Sequence, residues 1–151
     1  MSQSTLTTVC PQCLHAVRVP TDRLADSPRC PACKAALLPG TPVELDAIRF
    51  SQVTARTDLP VLVDFWADWC GPCLRFAPVL ERAAASFSPR LIVGKVNTEL
   101  APELASRLGI RSIPTLILFR GGREIARTSG AMHEASLAQW VQGALGWTEA
   151  A

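Results

Sequence analysis

No segment of the 151 residues holds the roughly 20 consecutive apolar residues needed to cross a bilayer. The longest apolar-rich runs, Val61–Ala67 and Thr115–Phe119, are the length of strands, so no membrane association is expected. Charge is also scarce. Charged residues make up 19% of the chain and the formal net charge is +2, so the basic stripe of a nucleic-acid binder is missing. The opening segment lacks a basic cluster followed by an apolar run, and no lipidation motif is visible. The expected location is therefore the cytoplasm. Finally, no cysteine stands outside a CxxC pair: the six are Cys10/Cys13, Cys30/Cys33 and Cys70/Cys73. In a reducing compartment disulfide staples are rare, which leaves metal binding and redox chemistry as the leading uses.

The first two pairs fall within 33 residues that also hold Pro11, Pro20, Pro28 and Pro31 and few large apolar side chains. Such a segment cannot build its own core and needs a staple. Leu38-Pro-Gly-Thr-Pro42 is turn chemistry and reads as a linker, dividing the chain into a module over residues 1–40 and a domain over residues 41–151.

The second part reads as α/β. Val43–Leu45 is a short strand, and Asp46 caps a helix reaching about Ala55, with Ile48, Phe50 and Val53 as apolar positions. Val61–Trp66 is a buried strand containing one acid, Asp64. Cys70–Ser86 repeats Phe76, Val79, Leu80 and Ala83 at helical spacing, with Pro78 inside it. Leu91–Asn97 is a strand and Glu99–Leu108 a helix closed by Gly109. Strands Thr115–Phe119 and Glu124–Thr128 flank a Gly121-Gly122 hairpin turn, and a last helix over Glu134–Leu145 carries Leu137, Trp140, Val141 and Leu145. The order β-α-β-α-β-α-β-β-α implies a mixed sheet flanked by helices, with its own core from residue 43 onward.

Trp69-Cys70-Gly71-Pro72-Cys73 sits where a strand gives way to a helix. Two intervening residues let the sulfurs close a disulfide. The helix start offers unpaired N–H groups and the positive end of the helix dipole, both of which stabilise a thiolate at Cys70. Pro72 falls in the first turn, where its missing N–H costs nothing. Cys73, one turn deeper, suits the displacement of a mixed disulfide. Asp64 in an apolar strand should have a raised pKa and exchange protons near neutral pH, or else be a hydrogen-bonded structural acid. Lys95 reads most plainly as a surface lysine at a strand edge.

Cys10-Pro-Gln-Cys13 and Cys30-Pro-Ala-Cys33 lie 16 residues apart, the spacing of a four-cysteine zinc site. Four thiolates fill a tetrahedral Zn²⁺ and leave no position for water, so one structural ion is expected. A pair of disulfides is the alternative, and His15 is a weaker candidate ligand.

The segment from Val61 to Cys73 resembles the active-site stretch of thioredoxins. The likeness continues through Phe76-Ala-Pro78, Lys95-Val-Asn97, Gly109–Thr115, Phe119–Gly122 and Gly130, over residues 43–147 in all. Together with the quartet ahead of it, the chain is similar to the zinc-containing thioredoxins of the thioredoxin-2 type. The resemblance implies a thioredoxin fold with a small N-terminal zinc-ribbon-like module. It implies a protein-disulfide reductase, with Cys70 as nucleophile, Cys73 as resolving cysteine and Asp64 as proton acceptor for Cys73. Lys95 would tune Asp64. Ile113 and Pro114 would form a cis peptide facing the disulfide. Trp66, Trp69, Gly71, Pro72, Ile113 and Gly130 would shape the site and the substrate surface. The implied partners are disulfide-containing proteins and an NADPH-dependent thioredoxin reductase that carries the flavin, so this chain needs no organic cofactor. A monomer is expected. One residue departs from the family: Leu74 stands where a Lys or Arg usually follows the second cysteine, and Arg75 comes next.

Overall fold

In the computed structural model, which describes residues 4–147, the chain runs β1 (Thr5–Val9), β2 (Ala16–Pro20), a 3-10 segment (Thr21–Asp26), β3 (Val43–Glu44), α1 (Ala47–Arg56) and β4 (Val61–Trp66). It continues through α2 (Gly71–Phe87), β5 (Ile92–Asn97), α3 (Pro102–Arg107), β6 (Thr115–Arg120), β7 (Arg123–Ser129) and α4 (Glu134–Leu145). From β3 onward this is the expected α/β order.

The main sheet has the strand order β3-β5-β4-β6-β7. Strands β3, β5 and β4 are parallel, while β6 and β7 run antiparallel. Strand β4 is central because both its faces are apolar. Val61, Val63 and Phe65 pack with Phe50 and Val53 of α1, Leu104 of α3, and Ile117 and Phe119. Leu62 packs on the other face with Phe76 and Leu80 of α2, Leu137 and Val141 of α4, and Leu116 and Leu118. Alternation along the strand sends Asp64 to the Leu62 side, under α2.

Local chemistry fixes the helix starts. Asp46 caps α1 by accepting from the Arg49 amide at 2.7 Å. Ile48, expected on the apolar face, is instead 68% exposed. The buried positions are Phe50, Val53 and Thr54, and Ile48 stands two residues before Phe50, on the far side of the helix. Helix α3 is shorter than expected because Pro102 starts it. Asn97 takes the amide of Glu99 instead, at 2.9 Å.

Strands β1 and β2 form a separate antiparallel pair that the sequence pattern did not announce. The cluster beneath it consists of Cys10, Val19, Cys30 and Leu37. Burying two aliphatic side chains contributes about 3–6 kcal/mol, far below the ~1 kcal/mol per residue needed to order such a segment. Part of its remaining support comes from the larger unit. Val9 is buried in the same cluster as Phe50 and Phe65, with Leu6 and Leu14 packed against it. The main core thus reaches back before residue 43. Polar contacts reinforce the join: Thr7 N–H donates to Asp58 Oδ2 at 2.7 Å and Asp58 N–H returns to the Thr7 carbonyl at 2.8 Å. The Val9 amide donates to Thr57 Oγ1 at 3.2 Å. Arg49 reaches the carbonyls of Pro11 (3.0 Å) and Gln12 (2.9 Å).

Candidate active site and metal centre

Cys70 is the N-cap of α2, and its sulfur accepts from the Cys73 amide at 3.2 Å. Pro72 lies in the first turn. The two cysteines form a disulfide with Cα atoms 5.2 Å apart. Both residues are buried, at 4% and 3% exposure. Cys70 Sγ lies 3.7 Å from the Ile113 carbonyl, next to the cis Ile113–Pro114 peptide. The Pro114 carbonyl accepts from Gly130 N–H at 2.8 Å, and Gly130 has φ +96°, a conformation that favours glycine. An open groove of about 460 Å³ runs past Trp69, Cys70, Gly71, Pro72, Ile110 and Ile113. Trp69 is 69% exposed beside it and donates from Nε1 to Glu99 at 2.6 Å. Leu74 is exposed, but the Arg75 guanidinium folds back over Gly71: its Nη1 lies 3.2 Å from where a Cβ on that glycine would stand.

Asp64 is 1% exposed, and its Oδ1 meets no hydrogen-bond partner among the described residues. Burial pushes its carboxyl up to about 7. Lys95 opposes that rise and Glu44 adds to it. Lys95 is not at a sheet edge. It lies on β5 in register with Asp64 on β4, and its Nζ sits 4.2 Å from the centre of the Trp66 ring. Glu44, on the opposite flank of Lys95, was missed by sequence reasoning because a glutamate in a two-residue strand resembles any solvated side chain.

The other four cysteines converge from two loops of matching geometry. Cys10 N–H donates to the His15 carbonyl and Leu14 N–H to the Cys10 carbonyl; Cys30 N–H donates to Ala35 and Lys34 N–H to Cys30 in the same way. Leu14 and Lys34 both turn left-handed, at φ +67° and +71°. The four sulfurs lie within 4.8 Å of one another, with the pairs Cys10–Cys33 and Cys13–Cys30 at 3.6 Å. A tetrahedral ion with metal–sulfur bonds of about 2.3 Å sets its ligands about 3.8 Å apart, so the donor set and its spacing fit zinc. The sulfurs pair across the two loops rather than within one. His15 contributes its backbone carbonyl to the first loop.

The thioredoxin family model matches residues 41–143. The chain belongs to the thioredoxin family. Ahead of that domain, residues 9–35 match the zinc ribbon described as thioredoxin 2, N-terminal. Thioredoxin C-3 of Corynebacterium nephridii is 44% identical over 133 residues, covering 88% of this chain and 91% of that protein. Thioredoxin 1 of a Nostoc species is 46% identical over 93 residues, 62% of this chain and 87% of that one. Among solved structures, a mutant thioredoxin from Halobacterium salinarum superposes with a TM-score of 0.64 at 33% identity, covering 75% of this chain and 96% of that one. This thioredoxin is accordingly a disulfide oxidoreductase whose Cys70–Cys73 pair is redox-active. No helix of the described residues is long and apolar enough to cross a membrane.

Proposed function

We propose that the chain is a protein-disulfide reductase working through Cys70-Gly-Pro-Cys73, with one structural zinc ion held by Cys10, Cys13, Cys30 and Cys33. The observation that carries the reading is Cys70 capping α2 at the side of a groove with an exposed tryptophan rim. In the dithiol form, the helix-start amides stabilise a Cys70 thiolate. The thiolate attacks one sulfur of a substrate disulfide, forming a mixed disulfide and releasing the other sulfur as a thiolate. Cys73 gives its proton to Asp64 and attacks Cys70 Sγ. The substrate leaves as a dithiol with two electrons gained, and the chain is left with its Cys70–Cys73 disulfide. Pro114 and Ile113 form the wall facing Cys70, and Trp69, Gly71, Pro72 and Gly130 border the surface that receives the substrate. Lys95 beside Asp64 balances its charge.

The cycle closes with reduction by an NADPH-dependent thioredoxin reductase. The zinc, when bound, supplies four metal–thiolate bonds that hold the two loops of residues 1–40 together. The reductase chemistry belongs to residues 41–151, acting as a monomer. A reducing cytoplasm suits both the zinc thiolates and the Cys70–Cys73 cycle. Insulin-disulfide reduction, measured with and without a metal chelator, tests the reading. Turnover that survives chelation and vanishes in Cys70→Ser is expected, and turnover that survives Cys70→Ser would sink it.

A further inference from the structure

Strands β3, β5 and β4 are neighbours, and their register places Glu44 opposite Lys95 and Lys95 opposite Asp64. Residues in register point to the same face of a sheet. The three side chains therefore form one row, acid–base–acid, running from the exposed edge of the sheet to the buried strand beneath α2. The edge end opens on a cavity of about 590 Å³, bordered by Glu44, Asp46, Arg49, Trp66 and Asn97 and by Gln12 of the first cysteine loop. The Trp66 indole lines the same cavity, and its hydrogen bonding to Glu44 lowers that carboxyl.

We propose that Glu44 is a positioning residue of the redox site: from the sheet edge it shares the Lys95 ammonium with Asp64 and so sets the pH at which Asp64 exchanges its proton. The inference rests on Asp64 being the proton acceptor only for its catalytic consequence, not for the coupling itself. The charged or titratable groups around the row are few. Lys95 lies between the two acids, Cys73 lies in the first turn of the helix covering the Asp64 face, and Asp68 follows β4 and raises the Glu44 carboxyl. Arg49 lies across the cavity, with its guanidinium engaged by Asp46 and by the carbonyls of Pro11 and Gln12. Burial raises the Glu44 carboxyl and Lys95 lowers it. Glu44 is the more exposed acid of the row. A second negative charge on the same lysine disfavours ionised Asp64. Removing that charge should lower the Asp64 midpoint, by about one pH unit for two carboxylates two strand spacings (roughly 10 Å) apart near a surface.

The test follows the Asp64 side-chain carboxyl by ¹³C NMR titration in the full-length, zinc-loaded protein, in both oxidised and reduced states. Glu44→Gln should move the midpoint down and Glu44→Asp should leave it near the original value. Lys95→Met should move it up. The pH dependence of mixed-disulfide resolution should shift with it, towards acid in Glu44→Gln. Glu44 is exposed on a two-residue strand, so its variants should retain the fold, and thermal unfolding checks that for them and for Lys95→Met. An Asp64 midpoint unchanged in Glu44→Gln overturns the proposal. A midpoint that moves while the rate profile stays fixed supports the coupling and removes Asp64 from the proton-transfer step.

Discussion

The molecule uses one four-residue spacing three times, and two of the three loops differ from the third in kind. Cys10–Cys13 and Cys30–Cys33 turn back on themselves, whereas Cys70–Cys73 opens a helix of 17 residues. The first hydrogen bond is shared: the amide after the second cysteine donates to the carbonyl of the first, in Leu14, Lys34 and Leu74 alike. The paths part at that residue. Leu14 and Lys34 adopt positive φ, and the chain returns to close a second bond onto the cysteine amide. Leu74 stays within the helix, and the ladder propagates. In the first geometry the sulfurs find partners on the other loop. In the second they find each other. The spacing alone decides neither outcome; the hand of the backbone one residue later does.

The largest test of this division exchanges cysteine for serine. Cys70→Ser should abolish insulin reduction, and Cys73→Ser should accumulate mixed disulfides visible on non-reducing gels. Cys13→Ser should lose the metal but keep most of the turnover. Loss of activity in Cys13→Ser with a folded domain would make the two kinds of loop functionally inseparable.

Zinc removal comes next. Structural zinc binding is worth on the order of 10 kcal/mol in small modules, so chelation should expose residues 1–40 to limited proteolysis. Because Val9 and Asp58 tie that module to the main core, the remaining domain should also melt at a lower temperature rather than unchanged. Metal analysis of the freshly purified reduced protein should give one zinc per chain.

The redox side has its own signature in pH. The Asp64 carboxyl rises to about 7 on folding, so the folded state binds the extra proton between the ordinary aspartate range and neutrality. Stability should fall as pH rises through that window, by about 4 kcal/mol at most, and level off above it. Asp64→Asn should remove this slope, raise stability at pH 8 and slow resolution by Cys73. Denaturant unfolding at pH 5 and pH 8 measures the first two effects.

Two smaller effects depend on the hand of the backbone after each second cysteine. Lys34→Gly relieves a left-handed residue and should stabilise the metal loop by about 1 kcal/mol. Leu74→Gly places the same residue type in a right-handed helix and should destabilise by about 1 kcal/mol. Thermal unfolding of both variants should show opposite signs.

Much of this was legible in residue order because the carriers were local. Asp46 before its helix, the buried Val61–Trp66 run and the Gly121-Gly122 hairpin each declare themselves within a few positions. Asp64 was legible as a misplaced acid. The hairpin of β1 and β2 was not, since Thr5–Val9 and Ala16–Pro20 alternate weakly and are short. Nor was Glu44, because its meaning depends on strand register between β3 and β5, a relation over 51 positions. The grip of Arg49 on the first cysteine loop is a similar case. A half-buried helix arginine has no sequence mark that sets it apart.

The reciprocal bonds between Thr7 and Asp58 carry a consequence for how the chain is made. The cysteine ligands of the N-terminal module lie within 24 positions, so this module can gather its metal as soon as that length has left the ribosome. Its docking partners, Thr57 and Asp58, are synthesised only later, and the central strand on which Val9 rests follows them. At synthesis rates of about 5–20 residues per second, the metal loop waits on the order of seconds with Val9 and Leu6 uncovered. A nascent chain starved of zinc would present the later core with a disordered arm at the moment of docking. If the four cysteines take zinc as proposed, its supply during translation should change the yield of folded protein before any redox cycle begins, which expression in zinc-depleted and zinc-replete cells measures.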